Sequence, residues 1–128
     1  MESCIFCKIA NGKIKPEVIW ENDSYIAFLD TNPISPGHTL VIPKKHTSYI
    51  FDLENKDYSD LMLAAKVVAK MLKEKLNPKR VGILVEGFGV DHVHVHLVPV
   101  NEGGGICLQY SKHATGDELK KIADKILM

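Results

Sequence analysis

The chain has 128 residues, 45% of them apolar and 25% charged, with 16 acidic and 16 basic side chains. That size suits one domain with a single hydrophobic core, and the balanced charge excludes a general attraction to nucleic acid or to an anionic membrane. No apolar stretch approaches a membrane span, Met1-Glu2-Ser3-Cys4 lacks the pattern of a secretory leader, and three cysteines, two of them close together, do not suggest a disulfide framework; these features predict a cytoplasmic protein.

Residues 4–10 predict a short helical or turn segment, closed by Asn11-Gly12. Val18-Ile19-Trp20 and Tyr25-Ile26-Ala27-Phe28-Leu29 are β-prone runs, and the Glu21-Asn22-Asp23-Ser24 cluster between them predicts a hairpin turn. Asp30-Thr31-Asn32-Pro33-Ile34-Ser35-Pro36-Gly37 is a loop punctuated by two prolines and a glycine, and His38-Thr39-Leu40-Val41-Ile42-Pro43 is the next strand. The long helix spans about residues 56–76. Leu61, Ala64, Ala65, Val68, Leu72 and Leu76 follow its period, lysines take the other face, and Asn77-Pro78 stops it. A strand over 81–85, a turn at Gly87-Phe88-Gly89, a histidine-bearing strand, a flexible Gly103-Gly104-Gly105 segment and an amphipathic helix over 117–128 complete the chain. Several short strands around one long helix predict an α+β domain with a mostly antiparallel sheet.

Three of the six histidines lie in Asp91-His92-Val93-His94-Val95-His96-Leu97-Val98-Pro99. Successive side chains of a strand point to opposite faces. His92, His94 and His96 then share one face, Val93, Val95 and Leu97 point into a core, and neighbouring imidazoles lie ~7 Å apart, close enough to surround a phosphate-sized group. Neutral imidazole is a general base, a metal ligand and a nucleophile that divides one hard substitution at phosphorus into two easier ones. A solvated strand face accounts for one histidine; three at strict period two point to chemistry.

His92-Val93-His94-Val95-His96-Leu97-Val98 resembles the histidine triad, His-φ-His-φ-His-φ-φ, of the HIT superfamily. Cys4-Ile5-Phe6-Cys7-Lys8-Ile9 resembles the opening of its Hint-like branch. Ala27-Phe28-Leu29-Asp30 and Pro36-Gly37-His38-Thr39-Leu40-Val41-Ile42-Pro43-Lys44-Lys45-His46 resemble its central block. The matches run in order over residues 4–99, and the tail from 100 to 128 is divergent. The resemblance implies one HIT domain over residues 1–128, with a mostly antiparallel five-stranded sheet, one long helix and a shorter C-terminal helix. It also implies a homodimer, with the long helix and strand edges at the interface.

In function, the resemblance implies a nucleotide hydrolase acting at the α-phosphorus of phosphoramidates or dinucleoside polyphosphates that carry an AMP or GMP moiety. His94 falls at the nucleophile position; it would form a nucleotidyl-histidine that water resolves to a nucleoside monophosphate, with no catalytic metal. His96 and His38 fall at phosphate-contacting positions, where they would stabilise developing charge. Asp30 falls where the family accepts hydrogen bonds from the ribose hydroxyls. Phe6, Phe28, Leu29 and Thr31 fall where it lines the base and sugar pocket, although core packing explains Phe6 and Phe28 equally well.

Cys4-x-x-Cys7 by itself is compatible with a redox pair, half a metal site or two unrelated thiols. Metal-containing members of the superfamily add a histidine of the central block and the first of the triad, here His46 and His92. The implied Cys4, Cys7, His46 and His92 set is a closed, structural zinc site, because four protein ligands leave no position for substrate. One departure stands out: many Hint-like enzymes carry a serine three residues before the first triad histidine, where this chain has Gly89. A Gly89 backbone N–H can still reach a phosphate oxygen, but no hydroxyl is available to the leaving group. That favours a rival reading, a nucleotide-binding module with little turnover; a nucleotidyltransferase is a third reading. Lys44-Lys45 is read as a solvated turn, Cys107 as a structural or surface thiol, and His113 as a surface residue.

Overall fold

The structure, a computed structural model, describes residues 3–128; the first two residues of the N-terminal stretch read above as lacking a leader lie outside them. In chain order the elements are α1 (Ile5–Ala10), β1 (Val18–Glu21), β2 (Tyr25–Leu29), β3 (Thr39–Pro43), α2 (Asn55–Leu76), β4 (Arg80–Leu84), β5 (Val95–Val100) and α3 (Gly116–Leu127). The five strands form one sheet in the order β1-β2-β3-β5-β4, and every neighbouring pair is antiparallel. This is the α+β, five-stranded antiparallel architecture expected from the sequence. Among the described residues no helix is long and apolar enough to cross a membrane.

The β1–β2 hairpin closes where the turn cluster predicts. The Asn22 carboxamide oxygen accepts the Ser24 and Tyr25 backbone N–H groups at 2.9 and 2.8 Å, an Asx turn of the kind that favours asparagine at this place. All five residues of β2 are buried, because both faces of the sheet are covered. Tyr25, Ala27 and Leu29 join Val41, Val95 and Leu97 in a core beneath α2 and α3. Ile26 and Phe28 join Leu40 and Ile42 in a second cluster capped by Phe6 and Ile9 of α1. The second face carries the histidines, since Leu40 is paired with His96 and Phe28 with Leu40.

α2 begins at Asn55 and buries Leu61, Ala64, Ala65, Val68 and Leu72. The small Ala64 and Ala65 let the helix approach the sheet. Asn77 ends it in the left-handed region (φ 52°), donating its N–H to the Lys73 carbonyl, a C-terminal geometry in which asparagine substitutes for glycine. α3 starts from a capping box: Thr115 Oγ1 accepts the Glu118 N–H while the Glu118 carboxylate accepts the Thr115 N–H.

The histidine-bearing strand is shorter than predicted. The ladder of β5 begins at Val95, and its pairing ends at Val41 on one side and at Leu84 on the other. His92 and His94 therefore lie beyond the end of the sheet, where the Val93 N–H is taken up by the Thr47 carbonyl at 2.8 Å. Inward alternation still holds, because Val93, Val95 and Leu97 all belong to the core under α2. Gly37, with φ +93°, places His38 just before β3, against the side chains of Leu76 and Pro99, which leave no room for a Cβ. The tail folds back over the sheet. Ile106 lies against Gly82, and Lys112 and Ala114 donate backbone N–H groups to Pro33 and Thr31 at 3.2 and 2.9 Å.

Candidate functional site

Backbone carbonyls and amides decide which nitrogen of each imidazole carries hydrogen. His94 Nδ1 lies 2.7 Å from the His92 carbonyl oxygen. An oxygen acceptor there means Nδ1–H donates, so Nε2 keeps its lone pair. The Ile34 N–H donates to His38 Nδ1 at 3.0 Å. His38 therefore carries its hydrogen on Nε2, which lies 2.9 Å from His96 Nδ1. His96 Nδ1 accepts, and its hydrogen sits on Nε2. One loop amide thus propagates through two rings and leaves a donor on His96 beside a lone pair on His94.

The His94 and His96 rings are 5% and 7% exposed. Their Nε2 atoms have no protein partner among the described residues, and no buried side-chain nitrogen or oxygen there lacks one, so both atoms are open to a ligand. The ring centroids are 5.0 Å apart at 67°, closer than the ~7 Å strand repeat, because the rings lean together. Phe6 packs edge-on against His94 at 5.1 Å and against Phe28 at 5.6 Å. The carboxylate of Asp30 accepts the Asn32 N–H at 2.8 Å. Its other oxygen lies 3.6 Å from His38 Nε2. Thr31 is exposed at the same loop, and Gly89 is exposed with nothing within 4 Å of where a Cβ would stand. Leu29 follows Phe28 on β2 and belongs to the core under α2, and it also borders the cavity beside Asp30 and His38.

Burial, and after it the neighbouring His94 and His38 rings, pushes His96 down from 6.5 to about 4. Burial also lowers His38, with partial compensation from the Asp30 carboxylate. Both rings are therefore neutral near pH 7, as the tautomer assignment requires. The sign of the stability dependence follows. An unfolded imidazole takes up a proton near 6.5, whereas folded His96 resists protonation until about 4. Between those values the unfolded chain binds more protons, so folding stability is complete above pH 6.5 and falls as pH drops through the window. Urea midpoints should decline from pH 6.5 to 4.5; a flat profile would contradict the assignment of a neutral, buried His96.

A second cluster adjoins the first. One ligand atom from each of Cys4, Cys7, His46 and His92 lies within 4.8 Å of all the others. Cys4 Sγ and Cys7 Sγ lie 3.4 and 3.5 Å from His92 Nδ1, and Cys7 Sγ lies 3.2 Å from His46 Nδ1. Tetrahedral zinc with ordinary Zn–S and Zn–N lengths requires S···N edges of about 3.6 Å, so the donor set fits with small adjustments. His92 donates Nε2–H to the Pro43 carbonyl at 2.8 Å, which fixes the ring and leaves Nδ1 to a metal. Burial, then the adjacent Cys4 thiol, raises Cys7 above its ordinary value; a cation between the sulfurs would reverse that preference. Metal ions here would supply a cross-link and no open coordination position.

Asp30, His38 and His96 also bring ligand atoms within 4.8 Å of one another. This cluster does not suit a metal, because the Ile34 amide forces the hydrogen of His38 onto Nε2, the atom that would have to bind. The Ile34 amide and the His92 and Pro43 carbonyls are the functional groups the sequence does not reveal. Only the turn-prone Pro33-Ile34-Ser35-Pro36-Gly37 string hints at the first. Lys44 forms an ion pair with Glu21 at 2.6 Å, in keeping with a solvated turn.

The model of the HIT domain matches residues 11–103. An uncharacterized HIT-like protein of Methanocaldococcus jannaschii is 38% identical over 125 residues, covering 92% of this chain and 96% of that protein. The adenosine 5'-monophosphoramidase hnt1 of Schizosaccharomyces pombe is 35% identical over 127 residues, covering 97% and 96%. Among solved structures, a Zn-bound histidine triad family protein from Mycobacterium smegmatis superposes with a TM-score of 0.80 at 26% identity, covering 98% and 94%. With the triad, its neutral relay and the antiparallel sheet in place, the chain belongs to the HIT family.

Proposed function

We propose that this protein is a nucleotide hydrolase that cleaves at the α-phosphorus of nucleoside phosphoramidates or dinucleoside polyphosphates with an AMP or GMP moiety. The observation that carries this reading is the His94 ring, whose Nδ1–H is held by the His92 carbonyl at 2.7 Å while Nε2 presents a lone pair at the open face. The phosphoramidase name of the fission yeast relative supports it. In the first step His94 Nε2 bonds to phosphorus, the bond to the leaving group breaks, and the leaving group takes a proton from solvent. His96 Nε2–H donates to a non-bridging oxygen as charge develops there, with His38 holding its tautomer. Water then attacks phosphorus, gives up a proton, and releases the nucleoside monophosphate and neutral His94. Asp30 grips the ribose hydroxyls, and Phe6, Phe28, Leu29 and Thr31 border the base and sugar.

We further propose zinc at Cys4, Cys7, His46 and His92, a cytoplasmic location, and a homodimer. The dimer is supported by Ile83 on the outer strand β4 and by Leu63 and Val67 on α2, which are 49%, 58% and 45% exposed. The experiment for the catalytic reading offers adenosine 5'-phosphoramidate with a labelled adenosine. AMP release, with a labelled protein adduct stable in alkali and lost in acid, is the expected result; AMP binding without release rejects it.

Gly89 favours one second reading, a nucleotide-binding module with little turnover, because no hydroxyl stands there to assist the leaving group. Open space around a Cβ at this position makes Gly89→Ser a clean test. The serine should raise kcat for poor leaving groups by about 10²-fold, at the low end of proton-transfer assistance, and leave AMP affinity unchanged. An unchanged kcat would show that leaving-group protonation does not limit this enzyme.

A further inference from the structure

Lys66, Lys70 and Lys73 follow one another on α2 at steps of four and three, which sets them on one face of the helix. Lys79 follows the Asn77 turn, and Arg80 opens β4. These five side chains, with Ala69 and Val81, line a groove of 310 Å³. The groove and the triad lie at opposite ends of β4, since Arg80 pairs with Val100 whereas Leu84 pairs with His96. They also lie on opposite faces of the sheet, because α2 covers the core face and not the histidine face.

The charge of this groove is one-sided. The chain has 16 basic and 16 acidic residues, yet five cations and no carboxylate line the groove. Among the described residues none of the five forms a salt bridge. The Lys73 ammonium is engaged in another way, donating to the Pro78 carbonyl at 2.7 Å. Glu74 adjoins Lys73 in sequence, and Glu102 lines a neighbouring hollow with Lys79 and Arg80, but neither lines this groove. Like charges four residues apart weaken a helix, so the pairing of Lys66 with Lys70 does not serve the fold. Cations gathered in a concave surface focus a positive potential. No aromatic ring lines the groove to stack on a nucleobase, and its volume lies at the small end of ligand sites. These features suit a compact, multiply charged anion better than a nucleic acid strand.

We propose that the groove between α2 and β4 binds a compact oligophosphate of two or three linked phosphates. Lys66, Lys70 and Lys79 surround its charge, and the planar fork of Arg80 donates to two of its oxygens. The site is separate from the triad and does not rest on the hydrolase reading. Lys66 adjoins Val67 of the proposed dimer face, so the test also follows the oligomeric state.

The probe is inorganic tripolyphosphate, titrated calorimetrically into the full chain with and without saturating AMP. Its Kd should be the same in both, and orthophosphate should bind more weakly. Lys66→Gln/Lys70→Gln/Arg80→Gln should raise the Kd about tenfold, the loss of three exposed charge contacts. Lys120→Gln/Lys121→Gln/Lys125→Gln removes the same charge from α3 and should leave the Kd unchanged. Displacement by AMP, an equal loss in both triple variants, or orthophosphate bound as tightly as tripolyphosphate would each overturn the proposal. So would a duplex RNA that binds through these side chains where tripolyphosphate does not. A change of oligomeric state in the groove variant, seen by sedimentation, would overturn it as well, because the cations would then face a second copy of the chain.

Discussion

Replacing His94 with alanine should reduce AMP release by at least about 10⁴-fold, the scale on which enzymes respond to loss of a bond-forming atom. The expected split between binding and chemistry makes this informative. Phe6 and Phe28 remain packed together without the ring, Asp30 keeps its Asx turn, and His38 keeps its partner His96. AMP affinity should therefore stay within about threefold of the parent, a difference of less than 1 kcal/mol. The labelled protein adduct should disappear altogether, because no other ring in the site presents an acceptor nitrogen: His96 Nδ1 is occupied by His38, and its Nε2 carries hydrogen. Activity above about 1% of the parent would mean that another group, or water directly, attacks phosphorus. A variant that loses AMP binding along with activity would place the His94 ring in ground-state recognition instead.

What the sequence made legible, and what it did not, divides along a physical line. Side-chain periodicity is visible in a string of letters, and α2 was readable from Leu61, Ala64, Ala65, Val68 and Leu72 down to its Asn77 end. The alternation of Val93, Val95 and Leu97 was readable too, although the strand itself starts only at Val95, because strand length depends on where partners end. The cysteine and histidine cluster needed the resemblance, since Cys4 and His92 are 88 residues apart and no local spacing links them. That a backbone carbonyl would fix the His94 tautomer could be expected, but which groups set the tautomers was beyond reach: the Ile34 amide and the His92 carbonyl are backbone groups whose direction emerges only when the loop and strand are built.

Cys7→Ser should lower the thermal midpoint by about 10–15 °C. A metal bound at 100 to 1,000 times its Kd stabilises the fold by about 3–4 kcal/mol, and a domain of this size loses roughly 4 °C per kcal/mol. The effect should not stay local. α1 has six residues, too few to persist on propensity alone, and it carries Phe6 between the two cysteines. Phe6 in turn packs on His94 and Phe28. His92 offers Nδ1 to the cluster while its own carbonyl accepts the Nδ1–H of His94. Loss of the proposed cross-link would therefore loosen both Phe6 and the carbonyl that orients the His94 ring, and nucleotide affinity should fall with the midpoint. Calorimetry with and without a chelator separates this from simple damage to packing: the parent should lose the same 10–15 °C on chelation, as the arithmetic above requires, and the variant should be insensitive. Protein that contains no zinc by elemental analysis, and whose midpoint ignores the chelator, would leave Cys4, Cys7, His46 and His92 as a hydrogen-bonded cluster and detach the stability of α1 from any metal.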